Sequence, residues 1–232
     1  MILASHQPYF LPYFAYWQLI HAADRFLIGD DYAFIKSGWI ARNRILVQGK
    51  PQFFRMEISR KSSFRRICDT QLAPIRIGDK LKTLEMAYHK APYFADVYPL
   101  AERILTNPER RLAAFLEDSI RDVCRYLGIV TPLGRTSDLP GNRLLRREYR
   151  IYDFCHRMGA DTYVNAIGGQ SLYEGPAFAR EGLRLKFLQA RHTPYPQSGG
   201  PFVEKLSVLD TMMFNSRERL HEMLDDYTLI DG

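Results

Sequence analysis

The chain has 232 residues, 46% of them hydrophobic and 25% charged, with a formal net charge of +6. That length suits one sizeable core and is short for two average domains, so a single domain over residues 1–232 is expected. The basic balance favours anionic partners such as phosphates, nucleotide-linked substrates, nucleic acid or an acidic membrane surface, and no window approaches the ~20 apolar residues of a membrane span. Met1 leads into a strand-like run rather than a charged leader, so a soluble, cytoplasmic protein is expected.

Ile2-Leu3-Ala4 reads as a short buried strand, followed by Ser5-His6-Gln7-Pro8-Tyr9 and an aromatic helix from Pro12 to Ala23. Pro8 and Pro12 disfavour helix before them and suit a helix start. This places His6 at a strand's carboxyl end. Arg25 to Gly29 predicts a second strand ending in Asp30 and Asp31, completing a strand-helix-strand unit typical of a parallel sheet. Ile45-Leu46-Val47 and Phe53 to Ile58 flank the turn-like Gln48-Gly49-Lys50-Pro51, which predicts a hairpin, and the basic stretch Arg60 to Arg66 reads as a loop.

The middle, about 79–158, reads as a helical block. Asp79 can cap a helix to about Lys90, Pro92 opens another, and apolar residues from Leu112 to Leu127 recur at helical spacing before Gly128. Asn142 is expected to cap a fourth helix. Its Leu145, Tyr149, Tyr152, Cys155 and Met158 share a stripe, with Arg143, Arg146, Arg147, Arg150 and Arg157 largely opposite as a solvated basic face or an anion-binding surface. Strand (162–167), helix (171–181) and strand (183–188) then return, and Val208 to Tyr227 reads as a closing amphipathic helix. The expected class is α/β, with a mostly parallel central sheet flanked by helices. Cys68, Cys124 and Cys155 lack CxxC spacing, which argues for reduced core thiols rather than a disulfide framework or zinc knuckle.

His6, Asp31 (or Asp30) and Asp210 are titratable residues at expected strand ends or turns, and a carboxylate that orients a histidine fixes its tautomer for acid/base work. The competing reading is that the aspartates cap turns or helices, with Ser207 an equal cap for the last helix. No HxH, HxxxH or HExxH spacing occurs, so no metal site is expected. Arg42 and Arg44 alternate around Asn43 along an extended segment, which suits a grip on phosphate or carboxylate, or else a charged strand edge. Gln7 and Gln197 match sugar hydroxyls or an amide, and Tyr9, Tyr13, Tyr195 and Trp39 offer stacking faces when they are not core. Gly168-Gly169 lacks GxGxxG spacing, which disfavours NAD binding.

Several short fragments stand in a specific order and spacing. They are His6-Gln7-Pro8-Tyr9 with Leu11-Pro12, Asp24-Arg25-Phe26 with Asp30-Asp31, Trp39 with Arg42-Asn43-Arg44-Ile45, Tyr88 with Ala91-Pro92-Tyr93-Phe94, Leu127-Gly128-Ile129, Asp161-Thr162-Tyr163, and Tyr195-Pro196-Gln197 with Phe202 and Leu206 to Asp210. Together they resemble the WbqC-like family, known from bacterial O-antigen and surface-polysaccharide gene clusters. Ile40-Ala41 stands where that family commonly has Gln-Asn, and Val164-Asn165-Ala166 where it often has a Leu-Ser-Gly type turn.

The resemblance implies lipopolysaccharide or related surface-glycan biosynthesis. Within that setting the residues suggest a transferase that moves an acyl or aminoacyl unit onto a nucleotide-linked amino sugar. His6 would be the base, Asp31 or Asp210 would orient it, Arg42 and Arg44 would hold the diphosphate, and Gln7 and Gln197 would orient the sugar. Two alternatives stay open: a nucleotidyl transferase that uses its nucleotide directly, and a non-catalytic ligand- or nucleic-acid-binding protein. Nucleic acid is the less expected partner, because no RNP, helix-turn-helix or zinc-finger pattern accompanies the basic residues.

Overall fold

The computed structural model describes residues 1–59, 64–191 and 193–232. Strand β1 (Ile2–His6), helix α1 (Ala15–His21) and β2 (Arg25–Ile28) form the expected strand-helix-strand unit. Next come the hairpin β3 (Arg42–Val47) and β4 (Lys50–Arg55), the short pair β5 (Ile58–Ser59) and β6 (Gln71–Leu72), and helices α2 (Ile77–Tyr88), α3 (Phe94–Thr106) and α4 (Leu112–Leu127). The chain returns through β7 (Leu133–Arg135), α5 (Glu148–Met158), β8 (Thr162–Ala166), α6 (Gly175–Arg180) and β9 (Arg184–Ala190). It ends in α7 (Val208–Phe214), α8 (Arg217–Leu224) and β10 (Tyr227–Asp231).

The main sheet has the order β10-β9-β8-β1-β2-β7, and every pairing is parallel except β9 with β10. Because successive strand residues point to opposite faces, one apolar strand serves two cores. Leu3, Leu27, Tyr163, Leu185 and Phe187 meet Ile151 and Phe154 of α5 and Phe178 of α6. Ala4, Phe26, Ile28, Val164 and Leu188 face the larger core, with Trp17 and Ile20 of α1 and the mid-chain helices. The β3–β4 hairpin closes through Gln48 and Gly49, both at positive φ (51° and 72°), the pairing that a two-residue turn with the strands' own twist requires.

Several elements differ from the sequence reading. The helical block is interrupted at β7, a three-residue strand too short and too glycine-bearing to show a period. Asn142 does not cap α5. Its side chain instead bonds the Arg150 carbonyl, Asp153 and the Arg150 guanidinium, and the helix starts six residues later at Glu148. The helix expected over 171–181 starts at Gly175, behind a 3-10 turn over Ile167–Leu172. The closing helix breaks at Asn215-Ser216, where the Ser216 hydroxyl accepts the Arg219 N–H, and the last residues form β10. Of the basic stretch 60–66, residues 60–63 lie outside the described residues, while the Arg65 carbonyl accepts the Phe34 N–H and Ile67 N–H donates to Tyr32.

Candidate functional site

From β1 the chain steps to β2 on one side, whereas β8 and β9 lie on the other. The loops that leave β1 and β8 therefore diverge, opening a crevice at the strands' carboxyl ends. A cleft of about 420 Å3 occupies that place. Ser5, His6, Gln7, Tyr9 and Tyr13 line it from β1 and the turn that follows, Tyr32 and Trp39 from the segment after β2, and Tyr163, Asn165, Gly168, Gly169, Leu172 and Tyr173 from β8 and its 3-10 turn.

His6 occupies the last position of β1, level with Ile28. Its Nδ1 lies 3.0 Å from the Gln7 carbonyl oxygen. A carbonyl can only accept, so in the neutral ring Nδ1 carries the hydrogen and Nε2 the lone pair. Nε2 has no hydrogen-bond partner among the described residues. The ring is clamped edge-on by Tyr9 and Tyr16, with centroids 4.8 and 5.3 Å away. Burial lowers its pKa below the ordinary 6.5, with the Gln7 hydrogen bond pulling the other way. A neutral imidazole at pH 7 follows.

The opposite wall is phenolic. The Ser5 hydroxyl and Tyr163 hydroxyl are 2.9 Å apart, and burial raises the pKa of Tyr163 and of Tyr32, so both stay protonated donors. Tyr32 can fold back across its loop because Gly29 has no Cβ; one there would lie 2.8 Å from the Tyr32 ring. Behind Tyr32 sits the Arg150 guanidinium, 4.7 Å from the ring centroid and paired with Asp31. Among the described residues lining the cleft there is no Asp, Glu, Lys or Arg.

Of the residues singled out in the sequence, His6, Gln7, Tyr9, Tyr13 and Trp39 come together here. The others stand elsewhere. Asp31 is committed to Arg150 and to Thr136, 2.6 Å away, while Asp30 accepts from Ser137; neither bonds His6. Asp210 is fully buried in the first turn of α7 and accepts from Tyr88, Tyr195 and Gln197 at 3.1, 2.9 and 2.7 Å. It pins the returning loop, and burial raises its pKa. Gln197 spends its remaining amide capacity on the Val203 backbone. Ser207 caps α7 and, like Asn43, donates to the Leu11 carbonyl, fixing the strained turn where Leu11 has φ 44°.

Arg42 donates to the carbonyls of Gly38 and Ser37, and Arg44 makes two long bonds, 3.4 Å each, to those of Glu204 and Lys205. Neither arginine lines the cleft. Ser5, Tyr32, Tyr163, Asn165 and Tyr173 were not among the site residues expected from the sequence. The signal for Asn165 was its place at the end of a strand, which becomes meaningful once β8 is known to lie beside β1. Among the described residues no three His, Cys, Asp or Glu side chains converge to hold a metal, and no helix is long and apolar enough to cross a membrane.

Fold and cleft define a mostly parallel α/β protein with an aromatic cleft, free of charged side chains among its described lining residues, at the sheet's switch point. A family model described as the WbqC-like protein family matches residues 7–222, and the chain belongs to that family. It is also similar to the uncharacterised protein Rv1507c of Mycobacterium tuberculosis, 26% identical over 217 residues that span 92% of this chain and 93% of that one. No solved structure matches.

Proposed function

We propose that the protein is a transferase of bacterial surface-polysaccharide assembly that moves an acyl or aminoacyl unit onto the amino group of a nucleotide-linked sugar seated in the switch-point cleft. The observation that carries this reading is the lone pair of His6 Nε2 in a cleft whose other walls are phenols, amides and one indole. Such walls complement a sugar ring: aromatic faces cover its C–H surface, while the Gln7 and Asn165 amides and the tyrosine hydroxyls answer its hydroxyls.

The acceptor nitrogen attacks the donor's carbonyl carbon, and its proton passes to His6 Nε2 as the new C–N bond forms. The carbonyl oxygen's developing charge meets the Tyr163 or Tyr32 hydroxyl, and the donor's carrier departs with the proton returned from the imidazolium. The Nδ1–H held by the Gln7 carbonyl keeps the required tautomer, the task that the sequence reading gave to an aspartate. A screen of amino-sugar nucleotides with acyl and aminoacyl donors tests the reading. Transfer that is lost in His6→Gln supports it; transfer that survives the substitution overturns it.

A further inference from the structure

The cleft lacks charged walls, so it leaves the anionic part of a nucleotide-linked substrate to be held outside it. The outer face of the β3–β4 hairpin meets that need. In the hairpin register Arg42 stands opposite Arg55, and Arg44 opposite Phe53, so all four project from one face while Asn43, Ile45 and Phe54 turn inward. There the Arg42 and Arg55 guanidinium carbons lie 4.2 and 5.9 Å from the Phe53 ring centroid, Phe53 sits 6.3 Å from Trp39, and Arg44 lies 5.9 Å from Trp39. Trp39 also lines the cleft.

Three facts set this stack apart from an ordinary charged strand edge. Phe53 and Trp39 keep 45% and 41% of their surface in water, which is high for rings so close to a large core. Arg55 makes no hydrogen bond among the described residues, and Arg44 Nε is buried with no partner. Residues 32–59 also carry five cations against the single anion Glu57, most of the chain's positive excess. Beside the stack a hollow of about 170 Å3 has an apolar floor of Phe34, Met56 and Ile58 and a rim of Lys36, Arg42 and Arg55.

We propose that this face is a nucleoside-diphosphate subsite. The base lies on Trp39 and Phe53, and the two phosphates are held by Arg55 and the free edge of Arg42. The glycosyl group crosses the Trp39 rim into the cleft. This rests on the functional reading above and gives it its substrate class. A stack of two rings and three arginines is the size of one nucleotide, and phosphate charge complements it.

Direct binding tests the assignment without turnover. UDP, TDP, GDP and ADP are titrated into the full chain by calorimetry and by fluorescence of Trp39, the exposed one of the two tryptophans. At least one is expected to bind and quench, with Trp39→Phe removing the quench. Arg55→Ala and Phe53→Ala, at exposed positions, should each weaken binding about tenfold, and His6→Gln should leave it unchanged. No binding by any of the four overturns the proposal, as does binding indifferent to Arg55→Ala and Phe53→Ala. Quenching by single-stranded RNA or by anionic vesicles, with none from the four nucleotides, also overturns it. Nucleotide binding without transferase activity would sink the functional reading and leave the subsite standing; transfer from donors to sugars without nucleotide affinity would do the reverse.

Discussion

Asp31 and Arg150, 119 residues apart in the chain, close a two-oxygen ion pair at 2.9 and 3.0 Å beneath Tyr32 of the cleft. Their side chains are 4% and 13% exposed, so both charges are largely withdrawn from water. Arg150→Ala strands a buried carboxylate and is expected to cost about 3–5 kcal/mol, lowering the melting temperature on the order of 10 °C. Thermal denaturation at two salt concentrations checks this; a change below about 1 kcal/mol would show that the pair is dispensable.

His6→Gln keeps most of the side-chain volume and removes the proposed base. Turnover should fall about 100-fold or more, with a small change in melting temperature. Because burial depresses the imidazole pKa below 6.5, the acid limb of kcat/KM should lie below that pH. The same depression has a stability sign: the unfolded chain takes up the proton first, so stability falls as pH drops below 6.5 and is restored above it. Denaturant midpoints from pH 5 to 8 should show a shallower slope in His6→Gln than in the parent.

Asp210→Ala leaves the Tyr88 and Tyr195 hydroxyls and the Gln197 amide without their common acceptor, at a cost of about 3 kcal/mol. The folded-state pKa is raised by burial, so the carboxyl's contribution is greatest below its ordinary 3.8 and is lost as pH rises through the folded value. Denaturation should therefore show a larger loss at pH 4 than at pH 7.

A methyl group at Gly169 would overlap the Asn165 side-chain amide in the cleft wall. Gly169 has no positive φ, so its backbone tolerates alanine and the side chain of Asn165 must yield. Gly169→Ala is expected to impair substrate binding far more than folding. In an Asn165→Gly background the second substitution should cost nothing more, which a double-mutant cycle on KM measures.

The sequence exposed those elements whose period is carried by several residues: β1, β2, the hairpin around Gln48-Gly49, and the α4 stripe ending at Gly128. It hid β7, whose three residues gain their identity only by pairing with β2, and β10, which depends on β9 for its partner. His6 was legible because a strand end followed by two prolines is a local signal. Asp210 and Asp31 were not, since a carboxylate that anchors a loop and one that assists a base have the same spacing. Arg150 looked like one member of a solvated row. Its inward turn is set by Asp31, a partner that no local pattern reveals.

β1 lies inside the main sheet, between β8 and β2. Ala4 must wait for Val164 before the inner edge of β1 is covered, so a nascent chain carries that apolar edge bare while some 160 residues follow it off the ribosome. Synthesis of this protein therefore exposes a ready template for intermolecular strand pairing, and its yield in cells should depend more on chaperone supply than the stability of the finished fold would suggest.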